Sequence, residues 1–118
     1  MKWKAGMLMP EYDVIILPLA EEDITNNTDY IFFDKESPET ALKLLRGFRQ
    51  TISKLSFMPE SHEYDEDEDL ASLKIRKCYY KNYKIFFYVN KEERKVFVLR
   101  VLHMLVDAKP LLMNMRFI

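Results

Sequence analysis

Apolar residues recur along this chain with two different periods, and the change between them divides it. Tyr12 to Leu17 (YDVIIL) is a short β-rich run, and Pro18 ends it because proline cannot donate to a strand ladder and favours a helix start. From Leu19 to about Asp34, Ala20, Ile24, Asn27 or Thr28, and Ile31 fall at helical spacing. Glu21, Glu22 and Asp23 sit in the first turn, where the positive end of the helix dipole favours them, so a helix is predicted. Thr25, Asn26, Asn27 and Thr28 are poor helix formers in its middle. Lys35-Glu36 reads as a tight connection, and Ser37-Pro38-Glu39 as an N-cap with proline at the first helical position. Ala41, Leu45, Phe48, Ile52 and Leu55 then form one apolar stripe, with Lys43, Arg46, Arg49 and Lys54 elsewhere on the helix surface and Pro59 marking its end. Two helices joined so closely predict an antiparallel hairpin.

His62 to Asp69 (HEYDEDED) carries six acidic residues in eight with no periodicity, which predicts a solvated loop. Beyond it the period becomes that of strands, in Leu73 to Tyr79, Tyr83 to Val89 and Lys95 to Leu102. Lys81-Asn82 and Asn90 to Arg94 supply the turns of an antiparallel meander, and Ala108 to Asn114 predicts one or two helical turns. The order β-α-α-β-β-β predicts a two-layer α+β domain, with the helical hairpin on one face of an antiparallel sheet and the other face available for function. Alternation suggests Leu73, Ile75, Phe97, Leu99 and Val101 for the hairpin side. It then sends Lys74, Arg76, Cys78, Val98 and Arg100 to the open side, with His103 at the opposite parity to Arg100.

With 118 residues and 48% hydrophobic content the chain has enough apolar surface for one domain and is too short for two. Residues 1–11 read as an N-terminal extension, with Met7 and Met9 as alternative starts, and residues 12–118 as a single domain. No apolar run reaches the roughly 20 residues that cross a bilayer, and Pro10, Glu11 and Asp13 interrupt any signal-peptide core, so a cytoplasmic location without membrane partners is expected. The single cysteine, Cys78, has no disulfide partner, and no metal or other cofactor is expected. Net charge is −1, yet residues 1–69 hold 7 basic against 16 acidic residues and residues 70–118 hold 11 against 3. That asymmetry fits an anionic partner for the basic part, or a basic surface neutralised by the chain's own acidic segments.

In order and spacing, YDVIILPLAEEDITNNTDYI, SPETALKLL, IRKCYYKNYKIFFYV and VFVLRVLHMLVD resemble the RelE/ParE superfamily of bacterial type II toxins, over Tyr12 to Leu112. The resemblance implies a growth inhibitor of the kind that stabilises plasmids, neutralised by a cognate antitoxin that wraps around it. It also implies one of two activities: poisoning DNA gyrase, as ParE-like members do, or cutting messenger RNA on the ribosome, as RelE-like members do.

An RNA-cleaving site needs cations on the phosphate and a proton carrier. Arg76 and Arg100 are the candidate phosphate clamp and His103 the candidate proton carrier, with Lys74, Lys77, Lys81 and Lys84 adding positive field for a nucleic acid or other target. Tyr79, Tyr80 and Tyr88 are lesser candidates. The acidic run before the second strand opposes RNA there, and the chain ends in Arg116, Phe117 and Ile118, where RelE-like members commonly keep a tyrosine or histidine. The PLAEEDI helix start and RVLH favour the gyrase-directed branch, although Met104 and Leu105 stand where that branch continues with arginines. A third reading is a non-toxic, antitoxin-binding member whose acidic loop covers its own basic sheet.

Overall fold

The computed structural model describes residues 11–116, so the predicted extension lies, but for Glu11, outside the described residues. The elements are β1 (Asp13–Ile16), α1 (Pro18–Asp29), α2 (Pro38–Ser53), α3 (Glu68–Ser72), β2 (Ile75–Tyr80), β3 (Tyr83–Asn90), β4 (Lys95–His103) and α4 (Lys109–Met113). α1 runs on through a π-helical turn at Tyr30–Asp34, and short 3-10 turns follow α2 at Lys54–Ser56 and Pro59–Ser61. Both long helices begin as the sequence predicts, with proline in the first turn after Leu17 and Ser37.

The strands lie in the order β1-β4-β3-β2. β2, β3 and β4 form the antiparallel meander, and β1 joins the far edge parallel to β4, with Val14 opposite Val96 and Ile16 opposite Val98. The hairpin of α1 and α2 covers one face, where Ala20, Ile24, Leu44, Phe48, Ile52 and Leu55 pack on Cys78, Ile85, Phe87, Val96, Val98 and Val101. The predicted stripe on α2 is therefore real, shifted by one position where Leu44 is buried and Leu45 only half-buried.

The assignment of strand residues to faces from alternation is corrected. Ile75, Leu99, Leu73 and Phe97 belong to the second face, with Phe86 and Leu102, whereas Cys78 and Val98 lie under the hairpin. That second face is not open: Leu70 of α3 and Leu112 of α4 are buried against it. A sheet covered on both sides has apolar residues at both parities, so alternation carries no label for inside. β4 also slips register. Phe86 pairs with Arg100 but Phe87 with Val98, leaving Leu99 as the extra residue of a β-bulge. Past the bulge, Val101 returns to the hairpin face, as expected for that residue.

The acidic segment is corrected too. Asp67 caps α3, its side chain accepting from the backbone N–H groups of Asp69 and Leu70, and Tyr64 bridges Arg76 at the outer edge of β2. Asp65 N–H donates to the Ile75 carbonyl at 2.9 Å and Lys77 N–H to the Glu63 carbonyl at 3.1 Å. A run that repels itself in isolation is ordered here by the edge of a sheet and by lysines that follow it in the chain.

Candidate functional site

The cations singled out from the sequence are distributed over four surroundings. On the second face, Lys77 and Lys84 project from neighbouring strands, and the acidic segment reaches across to them. Glu66 Oε1 pairs with Lys77 Nζ, and Glu66 Oε2 lies 2.9 Å from Lys84 Nζ. The buried Asp65 adds a third contact, its Oδ2 2.8 Å from Lys84 Nζ, while its Oδ1 accepts from Asp67 N–H at 2.9 Å. Hydrogen bonds from the two lysines hold the Glu66 carboxyl down at about 2, and the bond to Glu66 raises the ammonium pKa of Lys77. Lys84 rises also, against desolvation, because Asp65 and Glu66 both favour its charge.

Arg76 lies at the edge of β2. Its guanidinium donates to the carbonyls of His62 at 2.6 Å and Glu60 at 3.2 Å and to the Tyr64 hydroxyl at 3.2 Å, and it stacks over the Tyr64 ring at 4.2 Å. His62 packs edge-on against Phe87, and burial, reinforced by Arg76, lowers its pKa. Arg76 thus fastens the segment that leads from α2 to α3.

Arg100 faces α1. Its Nε and Nη2 donate to Asp23 Oδ2 and Oδ1 at 2.7 and 2.8 Å, and the Val101 N–H beside the bulge donates to the same Oδ2 at 2.9 Å. The Asp23 bonds raise the Arg100 pKa, and both side chains are largely buried, 14% and 9% exposed. His103 has a separate setting: its ring stands edge-on to Tyr83 at 5.4 Å, and Nδ1 accepts from Leu105 N–H at 3.1 Å. Arg100 and His103 therefore serve different partners, as their opposite parity suggests.

Lys74 and Lys81 are exposed, over the rings of Tyr64 and Tyr80 at 5.6 and 5.7 Å. Tyr79 and Tyr88 also lie on the second face, whereas Tyr80 turns under the hairpin against Phe48. Of the predicted residues, the fold brings Lys84 and His103 to one cleft of about 180 Å³, whose walls also include Asp65, Asp107 and Lys109. Among the described residues no group of three or more histidine, cysteine, aspartate or glutamate side chains is arranged to hold a metal ion, and no helix is long and apolar enough to cross a membrane.

Sequence reasoning pointed to the acidic loop as a whole but not to Asp65 and Glu66 individually, and it missed Asp23; these carboxylates decide what the cations do. A signal for Asp23 was present: it falls beside Ile24 and one turn from Ala20 and Asn27, on the face that packs inward. Asn27 shares that face and donates to the Asp23 carbonyl at 2.8 Å.

Solved structures that share this fold include two toxin–antitoxin assemblies. One is the chromosomal ParDE toxin–antitoxin system of P. aeruginosa, with a TM-score of 0.63 at 16% identity over 79% of this chain and 96% of that one. The other is the toxin–antitoxin complex RelBE2 of Mycobacterium tuberculosis, with a TM-score of 0.57 at 20% identity over 79% of this chain and 98% of that one. No curated protein sequence matches the chain. The family model for the ParE toxin of type II toxin–antitoxin systems matches residues 14–107, from β1 through the turn after β4, and the chain belongs to that family.

Proposed function

We propose that this protein arrests growth by binding DNA gyrase, that a cognate antitoxin neutralises it, and that it does not cut messenger RNA. One observation carries this reading. The four cations best placed to clamp a phosphate are already engaged within the chain: Arg100 by Asp23, Arg76 by two carbonyls and Tyr64, Lys77 by Glu66, and Lys84 by Asp65 and Glu66. A nuclease of this kind needs free, preorganised cations where charge develops on the phosphate, and a carboxylate bridge at that place repels the substrate. A toxin that works by binding needs only a stable surface.

The ribonuclease reading retains one point in its favour, the shared cleft of Lys84 and His103. Inducing the chain in growing cells separates the two. Gyrase binding predicts arrest relieved by the antitoxin, intact full-length transcripts and loss of negative supercoiling in plasmid DNA. Fragmented transcripts with unchanged plasmid topology would overturn it.

A further inference from the structure

The clamp candidates on the sheet are engaged, but three cations on α2 and the turn that follows it, Lys43, Arg46 and Lys54, have no carboxylate partner among the described residues. Between Ala41 and Pro59 the chain carries Lys43, Arg46, Arg49 and Lys54 and no carboxylate, in a protein whose net charge is −1. At 3.6 residues per turn, Lys43, Arg46, Gln50 and Lys54 fall within about 80° of one another, forming a single stripe along the helix. All four are exposed, and among the described residues none of the three cations has a carboxylate partner. Arg49, on the flank toward α1, is the one that pairs, with Glu21 at 2.9 Å. The acidic first turn of α1 therefore lies to the side of α2 away from Gly47 and the stripe's other border.

At that other border a fourth cation joins. A Cβ at Gly47 would lie 1.9 Å from Tyr80 Cζ, so the absence of a side chain is what allows the Tyr80 ring to rest on α2. Lys81 is exposed, with its Nζ 5.7 Å from the centre of the same ring. The turn between β2 and β3 is thereby brought alongside the helix, and Lys81 joins Lys43, Arg46 and Lys54 in one patch edged by an aromatic ring.

We propose that the outward face of α2, with Lys81 at its rim, is a docking surface for the phosphate backbone of double-stranded DNA. A stripe from Lys43 to Lys54 is about 16 Å long at 1.5 Å per residue, enough to lie along several successive phosphates. Its side chains are long and mobile and no buried polar group fixes a base edge, so the contact is to the backbone and independent of sequence. This surface lies across the hairpin from the second sheet face and uses none of the cations held by the acidic segment. It stands apart from the gyrase reading.

The test uses the full chain with a fluorescent 20-base-pair DNA duplex of arbitrary sequence and a single-stranded RNA of the same length, read by anisotropy. With three phosphates neutralised, affinity for the duplex falls about 40-fold between 50 and 200 mM salt. The triple variant Lys43→Glu, Arg46→Glu, Lys54→Glu loses at least about tenfold in affinity at low salt, and its salt dependence flattens. A control of equal charge change, Lys35→Glu, Lys91→Glu, Arg116→Glu, loses less than about threefold. Both variants alter exposed side chains and keep the parent's circular dichroism. Binding of the duplex in preference to the RNA supports the proposal, and tighter binding of the RNA overturns it. It is also overturned if neither binds at micromolar protein in 50 mM salt, or if both triple variants weaken binding equally.

Discussion

Asp23 and Arg100 meet through paired hydrogen bonds of 2.7 and 2.8 Å, and the same carboxylate accepts the Val101 N–H beside the β-bulge. One side chain from α1 thus neutralises the arginine of β4 and satisfies a backbone donor next to the irregularity in the strand. The pair ties the helical hairpin to the centre of the sheet, and it removes Arg100 from the pool of cations available to a target.

Removing one partner is therefore costly. Asp23→Ala leaves a largely buried guanidinium and a buried N–H unpaired, and the expected loss is about 3 kcal/mol of unfolding free energy. Replacing both residues by apolar ones, Asp23→Leu with Arg100→Met, recovers part of that loss, because the uncompensated charge goes with its partner. Urea denaturation of the single and double variants measures the coupling. Additive effects would show that the pair is not the unit described.

Gly47 and Tyr80 give a prediction with a change of sign. Gly47→Ala places a methyl group where the Tyr80 ring lies, and displacing the ring from Phe48 costs about 1 to 3 kcal/mol. In a Tyr80→Ala background the obstruction is gone, and the same substitution in the middle of α2 stabilises by up to about 1 kcal/mol, the intrinsic helix preference of alanine over glycine. Thermal midpoints across this double-mutant cycle check it, and a destabilising Gly47→Ala in both backgrounds would contradict it.

The acidic segment adds a dependence on pH. The Glu66 carboxyl is held near 2 in the folded protein and has an ordinary value of 4.5, so the folded state binds the proton later than the unfolded one. Its stabilising effect is complete above pH 4.5 and is lost as pH falls toward 2. Glu66 is 63% exposed, so the effect is about 1 kcal/mol or less, and Glu66→Gln should remove that part of the acid sensitivity. Lys84→Met is more severe, about 3 kcal/mol, because it leaves Asp65 buried without its cation. Acid titrations of unfolding for the three proteins separate these effects.

Local chemistry revealed most of the fold. Ser37-Pro38 starts α2, Phe48 and Ile52 mark its buried face, and the Lys81-Asn82 turn separates β2 from β3, each signalled by residues within a few positions. What stayed hidden depends on partners distant in the chain. Nothing near Arg100 announces Asp23, which lies 77 residues away, and nothing within HEYDEDED announces Lys84. The sheet faces were misassigned because both are covered, so that equally apolar residues such as Val98 and Leu99 stand at both parities. The candidate cations can be singled out from the sequence, but their engagement by Asp23, Asp65 and Glu66 is a property of the folded chain.

The central claim, a toxin that acts by binding gyrase, is tested most directly with purified components. Relaxed plasmid, gyrase and ATP are incubated with increasing amounts of the full chain, and the topoisomers are resolved on a gel. The account predicts that negative supercoiling is suppressed at micromolar or lower toxin and restored by the cognate antitoxin. Unimpaired supercoiling at micromolar toxin would contradict it.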